Sequence, residues 1–290
     1  MNAIDLDRIR QRRVDDPDAV LVAARRRRTA RLGERMVILA ADHPARGTLA
    51  VGDRSMAMGD RTELLRRIVA ALQHPGVDGV LGTPDILEDL LLLGVLDDKI
   101  VIGSMNRGGI SGSDYELDDR FTGYDAATLA QMRFNGGKML TRISLRHPDT
   151  ARTLEAAANA VSALSDLNLM AMVEPFMTDW VHGHLQNDLS VDGVIRSIGI
   201  ANGLGNTSRH KWLKLPVVPE MARVMQSTTL PALILGGDPS GPPEKTYADW
   251  ELALSLPGVR GLVVGRALLY PSDDDVMAAV SIAAELVHGG

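Results

Sequence analysis

The apolar positions of this chain fall into short continuous runs separated by stretches with helical spacing. From residue 36 onward the runs are MVILAAD (36–42), VDGVLGT (77–83), KIVIGSM (99–105), GKMLTRI (137–143), LMAMVEP (169–175), WLKLPVV (212–218), ALILGGD (232–238) and RGLVVGR (260–266), eight in all. Continuous runs, as opposed to alternating ones, mark strands covered on both faces, as in parallel sheets. Between them, apolar residues recur at helical intervals over 61–73, 84–93, 149–164, 191–200, 219–226 and 244–256, and a last such stretch, 273–287, follows the eighth run. Pro84, Pro219 and Pro243 stand where a first helical turn would begin, and Asp125 and Asp149 are candidate N-caps. Eight strand–helix units predict an α/β fold, the closed (β/α)8 or TIM barrel. A doubly wound open sheet is the alternative. It usually has fewer strands and carries a Gly-rich first turn, where this sequence has ADHPARG. The longest irregular stretches, 43–60, 104–124 and 176–190, follow the first, third and fifth strands. In a barrel those are loops of the catalytic face.

The first 33 residues stand apart, so the predicted organisation is one domain, 1–290, with an N-terminal helical extension (1–33) and a barrel (34–290). Arg8, Arg10, Arg12, Arg13 and the Arg25–Arg28 run alternate with Asp5, Asp7, Asp15, Asp16 and Asp18. This pattern predicts one or two amphipathic helices with a solvated charged face. A nucleic-acid or partner arm and a plug for the barrel bottom are the other readings. Over the whole chain the formal net charge is -6 and aromatics are 3%. No nucleic-acid partner is expected from that balance. No run reaches the roughly 18 apolar residues that span a bilayer, and the start lacks an apolar signal core. A cytoplasmic protein without a membrane partner is expected. The absence of cysteine excludes disulfides, thiolate metal sites and a thiol nucleophile.

The polar residues at the C-terminal ends of the predicted strands are the candidates for chemistry. Lys214 lies inside the apolar run WLKLPVV. A lysine desolvated there would have a lowered pKa and could attack a carbonyl as a free amine. Alternatively it snorkels to the rim or pairs with an acid. Lys138 is a second strand lysine, and Glu174, ending strand five, is an acid placed to pair with Lys138 or Arg142 and to relay protons. Asp42 and His43 close strand one, where an aspartate either binds a hydroxyl or makes a turn. Gly236 and Gly237 follow strand seven, and Gly265 and Arg266 end strand eight. Glycines there let backbone N–H groups approach a phosphate, and Arg266 adds a guanidinium. His182 and His184 with Asp179 form a weak metal-ligand pattern, and no metal is expected.

Taken together, Asp42-His43, Lys138, Glu174, Lys214, Gly236-Gly237 and Gly265-Arg266 resemble the class I (Schiff-base) aldolases of the DeoC/LacD/DhnA-type superfamily. The Arg-rich start and ILAADHPARGTL resemble, more narrowly, an actinobacterial (β/α)8 family associated with inositol catabolism. The resemblance covers residues 36–270. It implies a lyase without cofactor in which Lys214 forms the imine, Lys138 depresses its pKa and Glu174 shuttles protons. Asp42 would then bind or deprotonate the substrate hydroxyl. His43, Arg142, Gly236, Gly237, Gly265 and Arg266 would bind the substrate and its phosphate. The implied substrate is a phosphorylated keto sugar or keto sugar acid, with 6-phospho-5-dehydro-2-deoxy-gluconate the narrow choice, and a homo-oligomer is expected. Some fructose-bisphosphate members use a strand-five tyrosine as acid/base. This sequence has Phe176 and no nearby tyrosine, so Asp42 or Glu174 would take that role. A phosphosugar isomerase or decarboxylase without an imine and a non-enzymatic phospho-ligand barrel are the competing readings.

Overall fold

In the computed structural model, which describes residues 4–107, 109–237 and 242–289, the eight predicted runs form eight parallel strands. These are β1 (Met36–Ala40), β2 (Gly79–Gly82), β3 (Ile100–Ser104), β4 (Gly136–Ile143), β5 (Met170–Val181), β7 (Lys211–Leu215), β8 (Ala232–Leu235) and β9 (Val259–Val264). They pair in chain order, with β5 beside β7, and β9 returns to β1, so the sheet closes. Asp238, which ends the seventh predicted run, lies outside the described residues.

Every strand has an inner and an outer face because side chains alternate at period two. Met36, Ile38, Ala40, Leu81, Ile100, Ile102, Met170, Met172, Leu233 and Val263 pack together inside the barrel. The intervening residues, such as Val37, Leu39, Val101, Met139, Val173, Leu213 and Val264, belong to the outer core under the helices. At Gly261, with φ +128°, a Cβ would collide with the Met36 carbonyl oxygen of β1, so only glycine lets these strands pair at that level.

The helices α3 (Arg61–Leu72), α4 (Pro84–Leu93), α5 (Ala126–Gln131), α6 (Asp149–Asp166), α7 (Val191–Asn202), α8 (Met221–Met225), α9 (Pro243–Leu254), α10 (Arg266–Leu269) and α11 (Val276–His288) cover the outside. Pro84 and Pro243 begin their helices, and the Asp125 side chain caps α5 by accepting from Thr128 N–H. Asp149 instead sits one step inside α6, after Pro148. Pro219 lies in a turn ahead of the shorter α8, whose N-cap Glu220 has φ +57°.

Residues 176–190 depart from expectation. Instead of an irregular loop, β5 runs on past the barrel rim and pairs antiparallel with β6 (His184–Asn187). Two residues, His182 (φ 52°) and Gly183 (φ 81°), make the turn. Left-handed conformations at both central positions are what a tight two-residue hairpin requires.

The N-terminal segment forms α1 (Leu6–Asp15) and α2 (Ala19–Arg26). Several of its arginines bind the barrel. Arg13 pairs with Glu88 and Asp89 of α4, and Arg28 with Asp97 and Asp98. The buried Arg27 guanidinium donates to the carbonyls of Leu96, Lys99 and Arg133. Those residues precede β3 and β4, so the stretch after α2 lies across the barrel bottom, and Ala30 packs on the inner cluster.

Candidate active site

The residues at the top of the barrel interior continue the inner rows of the strands. Ser104 is level with Lys138, and Lys138 with Met172. Leu140 is level with Glu174, one inner row higher, and the pairing of Val173 with Leu213 sets Lys214 beside Glu174. Lys138 thus lies a layer below the Glu174–Lys214 pair. Burial follows that order: the Lys138 side chain is 0% exposed, whereas Lys214 and Glu174 retain 5% and 11%.

One carboxylate ties the two amines together. Glu174 Oε1 is 3.1 Å from Lys214 Nζ, and Oε2 contacts Lys138 Nζ. Lys138 Nζ also donates to Asp42 Oδ2 at 3.3 Å. The same Asp42 oxygen accepts from Ser104 Oγ at 3.2 Å and contacts the Arg107 guanidinium. Asp42 Oδ1 has no hydrogen-bond partner among the described residues. The group therefore holds two carboxylates and three basic side chains in a water-poor interior.

Titration follows from this geometry. Burial, reinforced by the Arg107 cation, pushes Lys138 down to about 8 in spite of its two acids. Burial alone would raise Glu174, but the two lysines prevail and hold it at about 2. Asp42 is likewise kept well below the usual carboxylate range: burial opposes ionisation, and Arg107, Lys138 and Lys214 outweigh it. His43 is partly exposed, with Nδ1 4.0 Å from Asp42 Oδ1. Desolvation lowers it to about 3, so its ring is neutral at pH 7.

A cavity of about 480 Å³ opens above this group. Lys214 and Glu174 form its floor, and Gly236, Gly237, Gly265, Arg266 and His43 line the side formed by β8, β9 and β1. Phe176 is also on the wall. Arg142 reaches the cavity too, but its partner is not Glu174. It makes a two-pronged pair with Asp119, with Nε 2.9 Å from Oδ2 and Nη2 2.6 Å from Oδ1. Among the described residues, no group of three or more His, Asp or Glu side chains is arranged to hold a metal ion. His184 pairs with Val181 in the exposed hairpin.

A family profile described as Cgl0159-like matches residues 34–284. The chain belongs to the Cgl0159-like family. The crystal structure of Cgl0159 from Corynebacterium glutamicum is 55% identical and superposes with TM-score 0.95, covering 98% of this chain and 97% of that one. More distant solved structures share the fold. An archaeal fructose-1,6-bisphosphate aldolase, with its catalytic Lys covalently bound to the carbinolamine intermediate, gives TM-score 0.67 at 18% identity, over 88% of this chain and 94% of that one. The fructose-bisphosphate aldolase from Slackia heliotrinireducens gives TM-score 0.67 at 14% identity, over 94% and 86%. No curated protein matches the sequence. The Cgl0159-like chain therefore shares its (β/α)8 barrel fold with these aldolases.

Asp42, Lys138, Glu174 and Lys214, chosen from the sequence, meet in one connected group in this Cgl0159-like barrel. Among the residues that join that group or the cavity wall without having been singled out are Ser104, Arg107, Arg46 and Glu116. They come from the end of β3 and from the loops after β1 and β3. Polar Ser104, Asn106 and Arg107, crowded just after an apolar run, were the signal for two of them. No local pattern marks Arg46 or Glu116.

Proposed function

We propose that this protein is a class I aldolase that cleaves a phosphorylated keto sugar or keto sugar acid through an imine on Lys214. The observation that carries this reading is the layering of the two lysines. Lys214 reaches the cavity, and Lys138 is sealed beneath it, joined through Glu174. A nucleophile must be both accessible and able to lose its proton. Burial and the neighbouring Arg107 cation loosen the proton of Lys138 beneath it.

In this reading the free amine of Lys214 attacks the substrate carbonyl, and the carbinolamine loses water to form the imine. Glu174 stands 3.1 Å from that nitrogen. It takes the proton released on attack and returns one to the departing hydroxyl, while Lys138 keeps its charge balanced. The imine then accepts the electron pair of the breaking carbon–carbon bond. Asp42 is 0% exposed and off the cavity lining, so it steadies Lys138 from below, and Glu174, again a carboxylate after the dehydration, accepts the proton of the hydroxyl on the carbon that becomes the aldehyde. Backbone N–H groups of Gly237 and Gly265 and the Arg266 guanidinium hold the phosphate on the cavity wall. The inositol-derived 6-phospho-5-dehydro-2-deoxy-gluconate rests on family association alone and takes its place in a panel of ketose phosphates.

Borohydride reduction in the presence of dihydroxyacetone phosphate tests the proposal. Mass spectrometry should find the reduced adduct on Lys214, and Lys214→Met should abolish it. An adduct on Lys138, or none with a substrate that is turned over, would return the protein to the isomerase or decarboxylase reading.

A further inference from the structure

The cavity wall changes character around the barrel. The β8–β9–β1 side carries Gly236, Gly237, Gly265 and Arg266. The cations on the β1 and β3 side have acids of their own: Arg107 meets Asp42, Arg142 is paired with Asp119, and Arg46 faces Glu116 at 3.6 Å. The side over β4, β5 and β7 is apolar. Leu140 and Phe176 from the strands, Pro216 and Val217 after β7, and Leu185 and Leu189 from the hairpin limb and its exit make it up.

The hairpin is not needed to close the barrel, since β4 and β7 flank β5 without it. Alternate residues of its returning limb, Leu185, Asn187 and Leu189, border the cavity. Asn187 stands between the two leucines, and its side-chain oxygen accepts from the Thr178 hydroxyl at 2.9 Å. Phe176 adds a buried ring with no hydrogen-bonding group.

The order of strands decides what meets this wall. β9, β8, β7, β5 and β4 are consecutive around the closed sheet. In the aldolase reading the phosphate is held at β8–β9 and the carbonyl carbon lies over Lys214 of β7. Glu174 of β5 takes the proton of the hydroxyl on the carbon that becomes the aldehyde, so that carbon lies over β5. The chain beyond it runs on beneath the hairpin. A hydroxyl there would give up its water, and Phe176, Leu185 and Leu189 offer it no partner.

We infer that the β5–β6 hairpin selects the aldehyde half of the substrate, and that this half is aliphatic, with hydrogen in place of a hydroxyl on the carbon beyond the new aldehyde. The substrate class narrows to ketose phosphates deoxygenated beyond the bond that is cleaved. This inference rests on the aldolase reading for the orientation of the substrate.

Aldol addition, the reverse of cleavage, tests it on the intact protein. Dihydroxyacetone phosphate forms its imine on Lys214, and Glu174 removes a proton from the carbon beside the imine to give the enamine. That carbon bonds to the aldehyde carbon, the aldehyde oxygen takes the proton from Glu174, and water releases the ketose phosphate and frees the lysine. Propanal and D-glyceraldehyde are the probes, equal in carbon count and different in their hydroxyls. Propanal should be used with a kcat/KM about ten-fold or more above that of D-glyceraldehyde, because an apolar pocket rejects an added hydroxyl by up to about 10²-fold. Leu185→Asn puts a hydrogen-bonding group in the wall and should shrink that ratio. Leu189 is 52% exposed, so Leu189→Asn is a second variant that leaves the fold in place, and it should act in the same direction. Equal use of the two aldehydes, or preference for D-glyceraldehyde, overturns the inference, as does a ratio that survives both variants in full. Borohydride trapping of dihydroxyacetone phosphate alone, which is too short to reach the hairpin, separates the two claims. Trapping on Lys214 with both aldehydes used equally, or neither used, rejects the role of the hairpin alone. Loss of trapping rejects the aldolase reading.

Discussion

Glu174 is the residue on which the site turns, because among the described residues its carboxylate is the one ion-paired to both lysines. Glu174→Gln keeps the shape and removes both the charge and the titrating group. Steady-state kinetics should show kcat falling on the order of 10²-fold or more, the usual weight of a general acid–base group. A kcat within two-fold of the parent would leave Glu174 a structural counter-ion only. In the proposed reading Arg266 holds the substrate phosphate. A charge-assisted hydrogen bond contributes about 1.5 to 3 kcal/mol, so Arg266→Ala should lower kcat/KM for a phosphorylated substrate by about 10- to 150-fold. Most of that loss should be in KM, because the phosphate is remote from the breaking bond. An unphosphorylated analogue should hardly respond, and equal losses on both would place Arg266 in support of the barrel. The individual residues differ in how visible they were beforehand. Lys214 announces itself, since a lysine among apolar neighbours in a strand needs a reason to be there. Arg142 does not announce its partner: from sequence it was set near Glu174, and in the fold it belongs to Asp119, 23 residues away in the loop after β3.

At the scale of elements, the strands present the chemistry and the loops complete it. The inner row of β4 carries Lys138, that of β5 carries Glu174, and that of β7 carries Lys214, because each strand exposes every second residue to the interior. The segment after α2 has a different duty. Arg27 satisfies three backbone carbonyls at the bottom of the barrel, with its guanidinium 5.6 Å from the Phe134 ring centroid. Arg27→Ala takes that donor from the Lys99 and Arg133 carbonyls in a buried place, and the cost should be about 2 to 4 kcal/mol. Thermal or urea unfolding should show that loss while kcat of the folded enzyme is unchanged, since the site is at the other end of the strands. An unaltered midpoint would make the N-terminal segment a passive appendage.

For the whole molecule, the buried ionic group couples stability to pH. Glu174 is held at about 2 against an ordinary 4.5, so its contribution is fully present above 4.5 and is lost as pH falls toward 2. His43, lowered from 6.5 to about 3, acts with the same sign. The unfolded chain takes up its proton first, and folding weakens as pH drops below about 6.5. The melting temperature should therefore fall steadily from pH 6.5 downward, and Glu174→Gln should flatten the part of that fall below pH 5. A variant whose acid profile overlays the parent would show that other carboxylates govern acid unfolding.

What the sequence determined by itself was the barrel and its inner row of polar residues. Eight continuous apolar runs with helical stretches between them admit few architectures, and period-two alternation is a local property that carries Lys138, Glu174 and Lys214 inward wherever the strands close. It did not reveal the β5–β6 hairpin, because a stretch with exposed Trp180 and Val181 lacks the buried pattern that marks the barrel strands. Tertiary structure alone decided how the loops complete the site. Arg107 meets Asp42 across 65 residues of chain, and Arg46 is anchored to Gly109 across 63. Such partners are chosen by barrel closure, which brings the ends of distant strands together, and by the need of buried charges for counter-charges. Neither leaves a periodic trace in the chain.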